Sequence, residues 1–250
     1  MSTLGRWWPQ RVGPAEPLAA ALVDHYHTGR PRRVAATRAD GVCFSIDTRE
    51  YFTLEGQLAE LDAIAVDRCR GRVLDVGAGA GRHALALQRR GLEVVAIDVS
   101  PLCIELCRMR GVKDARILDV MTLGSDESLG RFDTILFGMQ TIGVAGGVAP
   151  LARLLERLQA CVANDGEILV DSSVLREAWE GEAEDDSPHA GEIVLSTRYR
   201  GQFGEPFPWL YLGAGHLEEI ATGVGLETEI LGTVDTGEFL AALRRSGSDA

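Results

Sequence analysis

The chain has 250 residues, 46% of them hydrophobic and 25% charged, with a formal net charge of −12. That length buries a full core and suits one globular domain with additions. The acidic surplus disfavours a nucleic-acid partner, whose phosphates need clustered Lys and Arg, and no apolar run reaches membrane-spanning length. Five cysteines, Cys43, Cys69, Cys103, Cys107 and Cys161, include no C-x-x-C pair, so neither disulfides nor a metal site are expected. The N-terminus lacks a signal-peptide apolar region, which leaves a cytoplasmic enzyme as the default.

In chain order, residues 1–15 are rich in Trp, Pro and Gly without a period and read as an irregular arm, with Trp7 and Trp8 packed on the body or on a partner subunit. Leu18–His27 predicts a helix, with Pro17 in its first turn and Gly29 ending it. Arg30, Arg32, Arg33 and Arg38 read as a solvated loop, and Val34–Ile46 as a short hairpin turning at Ala39-Asp40-Gly41. Thr53 can cap a helix with Leu54, Leu58, Leu61, Ile64 and Ala65 on one face.

The most informative stretch is RVLDVGAGAGRHALALQRRGLEVVAIDVSP, Arg72 to Pro101. Arg72–Val76 is a buried-type strand and Gly77, Gly79 and Gly81 form a tight turn. A helix follows from Arg82 to Arg90, and Leu92–Ile97 is a second buried strand closed by Asp98. Such a βαβ unit has a nucleotide-sized crevice at the carboxyl ends of its strands. A dinucleotide turn wants G-x-G-x-x-G, but here the third glycine comes one place early and Arg82 stands at its site. Asp75 would also repel a pyrophosphate, whereas it suits a ligand with a cationic end and no phosphate.

Beyond it, Ser100-Pro101 starts a helix running to about Arg110, and Ala115–Leu118 is a third strand closed by Asp119-Val120. Phe132–Phe137 is a fourth strand, followed by Gly138-Met139-Gln140-Thr141, then a helix over Pro150–Cys161. Asn164-Asp165-Gly166 reads as a turn before a fifth strand, Glu167–Val170, ending at Asp171. Glu177–Pro188 is acidic and turn-rich. Ile193–Arg200 and Pro206–Leu212 form a hairpin, His216–Gly225 a helix, and Leu226–Leu231 with Glu238–Leu243 the closing strand pair.

The pattern D-x-G-x-G-x-G, with an acid closing the second strand, resembles the class I S-adenosylmethionine-dependent methyltransferases. The resemblance implies an α/β fold: a Rossmann-like doubly wound seven-stranded sheet with one antiparallel strand, plus an N-terminal helical cap and an inserted β-hairpin. Residues 1–53 would be arm and cap, and residues 54–250 the methyltransferase domain, with the hairpin at about 189–212. It also implies S-adenosyl-L-methionine as cofactor, held by Asp75, Gly77, Ala78, Gly79, Arg82, Asp98, Val99, Asp119, Val120 and Gly138. Asp98 would accept from the ribose hydroxyls, Val99 lie against adenine, Asp119 and Val120 meet the adenine amino edge, Gly138 line the sulfonium, and Arg82 bind the cofactor carboxylate. His83 reads as a packing residue.

The methyl group is already activated on the sulfonium, so the protein must align, desolvate and sometimes remove a proton. For the acceptor pocket the candidates are Tyr51, Phe52, Gln140, Thr141, Trp209 and Tyr211, with Phe203 and Phe207 beside them. Tyr51, Gln140 and His216 are the catalytic candidates, and His25 and His27 further bases. The fourth strand end lacks the Asp/Asn-Pro-Pro-aromatic signature of amino-methylating relatives and the carboxylate of metal-dependent ones. The expected reaction is therefore metal-free methyl transfer to a small-molecule acceptor of secondary metabolism, without nucleic acid or membrane, and with a homodimer left open. A nicotinamide-dependent oxidoreductase and a non-catalytic cofactor-binding regulator are the alternatives.

Overall fold

The computed structural model describes residues 10–53, 58–123, 129–174 and 191–247. The elements in chain order begin with β1 (Gln10–Val12), α1 (Glu16–Thr28), β2 (Arg33–Arg38), β3 (Cys43–Asp47) and α2 (Glu60–Arg68). The βαβ core follows as β4 (Arg72–Val76), α3 (Arg82–Arg89), β5 (Glu93–Asp98), α4 (Pro101–Arg110), β6 (Asp114–Ile117) and β7 (Phe132–Phe137). The chain continues through α5 (Val148–Cys161), β8 (Val162–Ser173), β9 (Glu192–Tyr199), β10 (Gln202–Gly204) and β11 (Phe207–Leu210). It closes with α6 (Ala214–Gly223), β12 (Leu226–Thr233) and β13 (Glu238–Arg245).

The seven-stranded sheet has the order β12-β13-β8-β7-β4-β5-β6. Strands β4 to β8 pair in parallel, and β13 runs antiparallel to both its neighbours. Parallel strands covered on both faces read as continuous apolar runs, and here each face has its helical layer. Leu151, Leu154, Leu155 and Leu158 of α5 and Leu217 of α6 cluster with Val76, Val95, Ile135 and Phe137. Leu61 and Ala65 of α2, Ala84 and Leu87 of α3 and Ile104 of α4 cluster with Val73, Val94, Leu136 and Leu169. Ser100 caps α4, its Oγ accepting from the Cys103 amide at 3.4 Å. The direction of strand progression reverses between β7 and β4, which is where an open α/β sheet leaves its crevice.

The N-terminal and inserted segments do not form two separate hairpins. They merge into a second sheet of order β1-β10-β9-β2-β3, with β11 also paired to β9. The seam is antiparallel, with Ala35 opposite Arg198 and Ala36 opposite Thr197. Helix α1 wedges between the two sheets. Its Ala21 clusters with Val34 and Tyr199, while Ala19 and Leu22 cluster with Cys103 and Leu106 of α4. Tyr199 Oη donates to Asp24 Oδ2 at 2.6 Å and locks the helix to β9.

Two local expectations change. Helix α2 starts at Glu60 after an Ala59 cap position rather than at a Thr53 cap, and residues 54–57 lie outside the described set. Arg33 and Arg38 belong to β2 and not to a loop. The turn expected at Asn164-Asp165-Gly166 is present as an irregularity inside β8: Phe132 pairs with Val162 and Thr134 with Glu167, and a Cβ on Gly166 would lie 2.7 Å from Val162 Cγ1. The arm carrying Trp7 and Trp8 and the acidic stretch Glu177–Pro188 lie outside the described residues.

Candidate functional site

The glycine turn after β4 is built for close approach. Gly77 and Gly79 have φ of 67° and 54°, a region that side chains disfavour. A Cβ on Gly77 would lie 2.8 Å from Thr141 Cγ2, and one on Gly79 3.3 Å from Tyr51 Cδ1. Bare backbone at both positions therefore lets the β7 loop and the cap close around the turn. The amides of Gly77 and Ala78 both donate to Ile97 O, which ties the turn to β5.

Asp98 closes β5 with a half-buried carboxylate. Its Oδ2 accepts from the Gly79 amide at 2.9 Å and its Oδ1 from the Ser100 amide at 2.8 Å. Burial pushes its pKa up, against the pull of those two amides. Ser100 Oγ donates to Glu16 Oε1 at 3.0 Å, bringing a second carboxylate from α1 to the same corner. Val99 and Ile117 stand at adjacent strand ends, 53% and 55% exposed, with Ile117 directly opposite Asp98 in the sheet. Both are apolar side chains exposed at the sheet's carboxyl edge. Ile117 was not a sequence candidate; only its exposure at a strand end marks it. Asp119 is exposed and its Oδ1 accepts from the Met121 amide at 2.8 Å, while Val120 is buried.

Two sequence candidates sit elsewhere than expected. Asp75 is 1% exposed and its Oδ2 accepts from the Ala84 amide at 3.0 Å, so it stabilises the first turn of α3 from below. Burial pushes its pKa up, opposed by His83. Arg82 is 5% exposed, and its contacts are with protein. Nη1 donates to Glu50 O and Thr53 Oγ1, both at 3.0 Å, and Nη2 lies 2.5 Å from Asp62 Oδ2. Arg82 thus pins the short 3-10 turn Glu50–Phe52 on α3, and that turn lays Tyr51 over Gly79. His83 packs as expected, with Nε2 2.9 Å from Asp62 Oδ1 and its ring beneath Gly138. Burial opposes the Asp62 charge, but the hydrogen bond and charge of His83, together with Arg82, hold its pKa below the ordinary value.

After β7 the chain turns sharply. Met139 and Gln140 have φ of 54° and 60°, unusual for residues with side chains. Asp171 at the end of β8 accepts from both their amides, from Met139 at 2.8 Å. Burial pushes its pKa up to about 7. Thr141 Oγ1 is buried without a hydrogen-bond partner beside Gly77. An orphaned hydroxyl beside two bare glycines and an acceptor carboxylate fits a ligand with hydroxyl, amino and carboxylate groups.

Trp209 and Pro208 of β11 lie over Gly143 and Gly146, the Trp209 ring so close that a Cβ on Gly143 would come within 2.4 Å. Phe207 meets Trp209 edge-on at 6.1 Å between centroids. Tyr51 therefore covers the glycine turn after β4, and Trp209 covers the loop after β7. Burial raises the pKa values of both Tyr51 and Tyr211. Phe52 points away, 4.1 Å from the His25 ring and under Arg110 at 4.6 Å. His216 sits half-buried in the first turn of α6, a helix that packs on α5 and β12. A cleft of about 880 Å³ lies at the opposite, amino edge of the sheet, lined by Arg68, Arg70, Glu167 and Arg244. There Arg68 and Arg244 are already paired with Glu167 and Glu229, and Arg70 donates to the Asp165 carbonyl.

Strand order, glycine turn and acid-closed β5 together define a Rossmann-like methyltransferase architecture. Residues 73–166 match the family model described as a methyltransferase domain. The S-adenosyl-L-methionine-dependent methyltransferase from Bacteroides fragilis, solved with S-adenosyl-L-homocysteine, is 35% identical, with 94% of this chain and 97% of that one covered and a TM-score of 0.84. The chain belongs to the S-adenosylmethionine-dependent methyltransferases. Magnesium-protoporphyrin O-methyltransferase of Rhodobacter capsulatus is 37% identical over 67 residues, which are 26% of this chain and 30% of that enzyme. Ubiquinone biosynthesis O-methyltransferase of Xanthomonas oryzae pv. oryzae is 33% identical over 75 residues, 28% and 31% of the two chains. The chain thus spans about a third of the length of these two relatives.

Proposed function

We propose that this methyltransferase transfers the methyl group to a small-molecule acceptor enclosed between its two sheets, by in-line displacement and without a metal. The observation that carries this reading is the pair of large aromatics over two adjoining segments, Tyr51 over Gly79 in the glycine turn and Trp209 over Gly143 in the loop after β7, which meet where Thr141 lies against Gly77. The cofactor would lie along Gly77–Gly79, with Asp98 toward its ribose hydroxyls and Val99 and Ile117 against adenine. Thr141 Oγ1 and the bare Gly138 would face its reacting end. When bound, it supplies an electrophilic methyl on a sulfonium, which needs no further activation.

The chain's own part is then binding, alignment and exclusion of water. An acceptor site walled by tyrosine and tryptophan would suit a flat molecule of a metabolite's size rather than a nucleic acid or a protein surface. Gln140, at the left-handed apex of the loop, is the side chain best placed to orient the acceptor's nucleophilic atom. Gly138 offers no metal ligand, and both carboxylate oxygens of Asp171 are committed to backbone amides. By their names, one matched O-methyltransferase acts on magnesium-protoporphyrin and the other serves ubiquinone biosynthesis, which supports a small-molecule acceptor.

The test is transfer of labelled methyl from S-adenosylmethionine into a metabolite extract split by size. Label in the small-molecule fraction is expected. Label confined to protein or nucleic acid would overturn the reading.

A further inference from the structure

We propose that Asp171 is a positioning residue of the cofactor site, its carboxylate clasping the Met139 and Gln140 amides to hold the β7 loop against the glycine turn. Asp171 follows Val170, which pairs with Phe137, so it stands beside Gly138 at the sheet's carboxyl edge. Two successive amides in left-handed residues form a concavity that favours an anion. Here that anion comes from the neighbouring strand, with one oxygen near each amide. Met139 and Gln140 bear side chains at φ of 54° and 60°, so the conformation is imposed and not intrinsic. The same turn sets Thr141 against Gly77 and leaves Gly138 lying on His83. Releasing one amide would let this loop relax away from the bare backbone it now covers.

The clasp needs a carboxylate. An asparagine offers one acceptor oxygen and turns an NH2 group on the second amide. The charged groups facing Asp171 are Asp62 on α2, which opposes its ionisation, and His83 on α3, which favours it; Arg82 and Asp75 stand behind His83. Burial sets the carboxyl at about 7. It is therefore charged at pH 8 and largely protonated at pH 5.5, and cofactor affinity should fall on acidification across that window.

This inference rests on placing the cofactor along Gly77–Gly79 and Asp98, so Asp98→Ala is measured beside it. The experiment follows S-adenosylhomocysteine affinity from pH 5.5 to 8 by calorimetry. In parallel it follows the Asp171 carboxyl carbon and the Met139 and Gln140 amides by NMR. The expected result is one shared midpoint near 7 for carbon and amides, with affinity lower by roughly tenfold at the acid end. Asp171→Asn should bind weakly at every pH, with a flat profile. If that variant does not fold, the wild-type coincidence of the carboxyl, amide and affinity midpoints decides. An unchanged profile in Asp171→Asn, or amides that do not follow the carboxyl, overturns the proposal. If Asp98→Ala also binds normally, the placement of the cofactor falls as well; if it binds weakly, only the role of Asp171 falls.

Discussion

Arg82 shows how a residue flanking the glycine turn can be committed to contacts within the protein. Its guanidinium joins Asp62 and the Glu50–Thr53 segment, and both ion-pair partners are nearly buried, at 6% and 10% side-chain exposure. Removing one member of such a pair leaves an uncompensated charge. Arg82→Met should therefore cost about 3–5 kcal/mol in a denaturant melt. The double variant Arg82→Met/Asp62→Asn should cost clearly less than the sum of the singles, because the orphaned charge is gone. Additive costs would show that the pair does not interact. Asp98 is the complementary case, a half-buried carboxylate whose hydrogen-bond partners among the described residues are backbone amides. Asp98→Ala should lose about 2–4 kcal/mol of S-adenosylhomocysteine affinity, the value of charge-assisted bonds to two hydroxyls, with Asp98→Glu losing less. Unchanged affinity would reduce Asp98 to a turn-stabilising acid.

At the level of elements, the parallel core was legible because each strand is a short apolar run stopped by glycine or an acid. The turn between β4 and α3 carried its own chemistry in D-x-G-x-G-x-G. The second sheet was not legible. Its hairpins each alternate locally, but the pairing of β2 with β9 joins residues some 160 positions apart, and nothing in either strand's pattern specifies the partner. The same blindness hid the destination of Arg82, since the Glu50–Thr53 segment and Asp62 of α2 reach it from two separate parts of the chain. The turn signal at Asn164-Asp165-Gly166, by contrast, is local and holds: the register of β8 against β7 shifts at those residues.

This layout makes β11 a strap whose removal is readable. Trp209→Ala opens space above Gly143 and should destabilise the protein by about 2–3 kcal/mol, less than for a fully buried tryptophan. S-adenosylhomocysteine affinity should change little, while labelled-methyl transfer to the small-molecule fraction drops. Equal losses of cofactor affinity and transfer would place Trp209 at the cofactor and not at the acceptor.

For the whole molecule, the carboxyl edge of the sheet concentrates acids whose burial opposes their charge. Asp75, Asp98 and Asp171 all have raised pKa values, Asp171 to about 7. The folded state therefore binds more protons than the unfolded chain between the ordinary carboxyl value of 3.8 and about 7. By linkage, stability falls as pH rises through that window and levels off above it. His25 works the other way, since burial lowers its pKa and the unfolded chain takes up its proton below 6.5. With three acids against one histidine, the melting temperature of the ligand-free protein should rise on going from pH 8 to 5.5. Affinity for S-adenosylhomocysteine should fall over the same range, so stability and binding move in opposite directions. A melting temperature that falls with acidification would mean that the carboxyl edge does not control the pH response. Among the described residues no helix is long and apolar enough to cross a membrane.

The central claim is that the cofactor occupies the carboxyl edge between β7 and β6, under the second sheet. Hydrogen–deuterium exchange with and without S-adenosylhomocysteine tests it most directly. The account predicts slowed exchange at residues 76–81, 97–100, 117–120 and 138–141, with the arginine-lined cleft around Arg68, Arg70 and Arg244 unaffected. Protection at that cleft, with the strand ends exchanging as before, would contradict it.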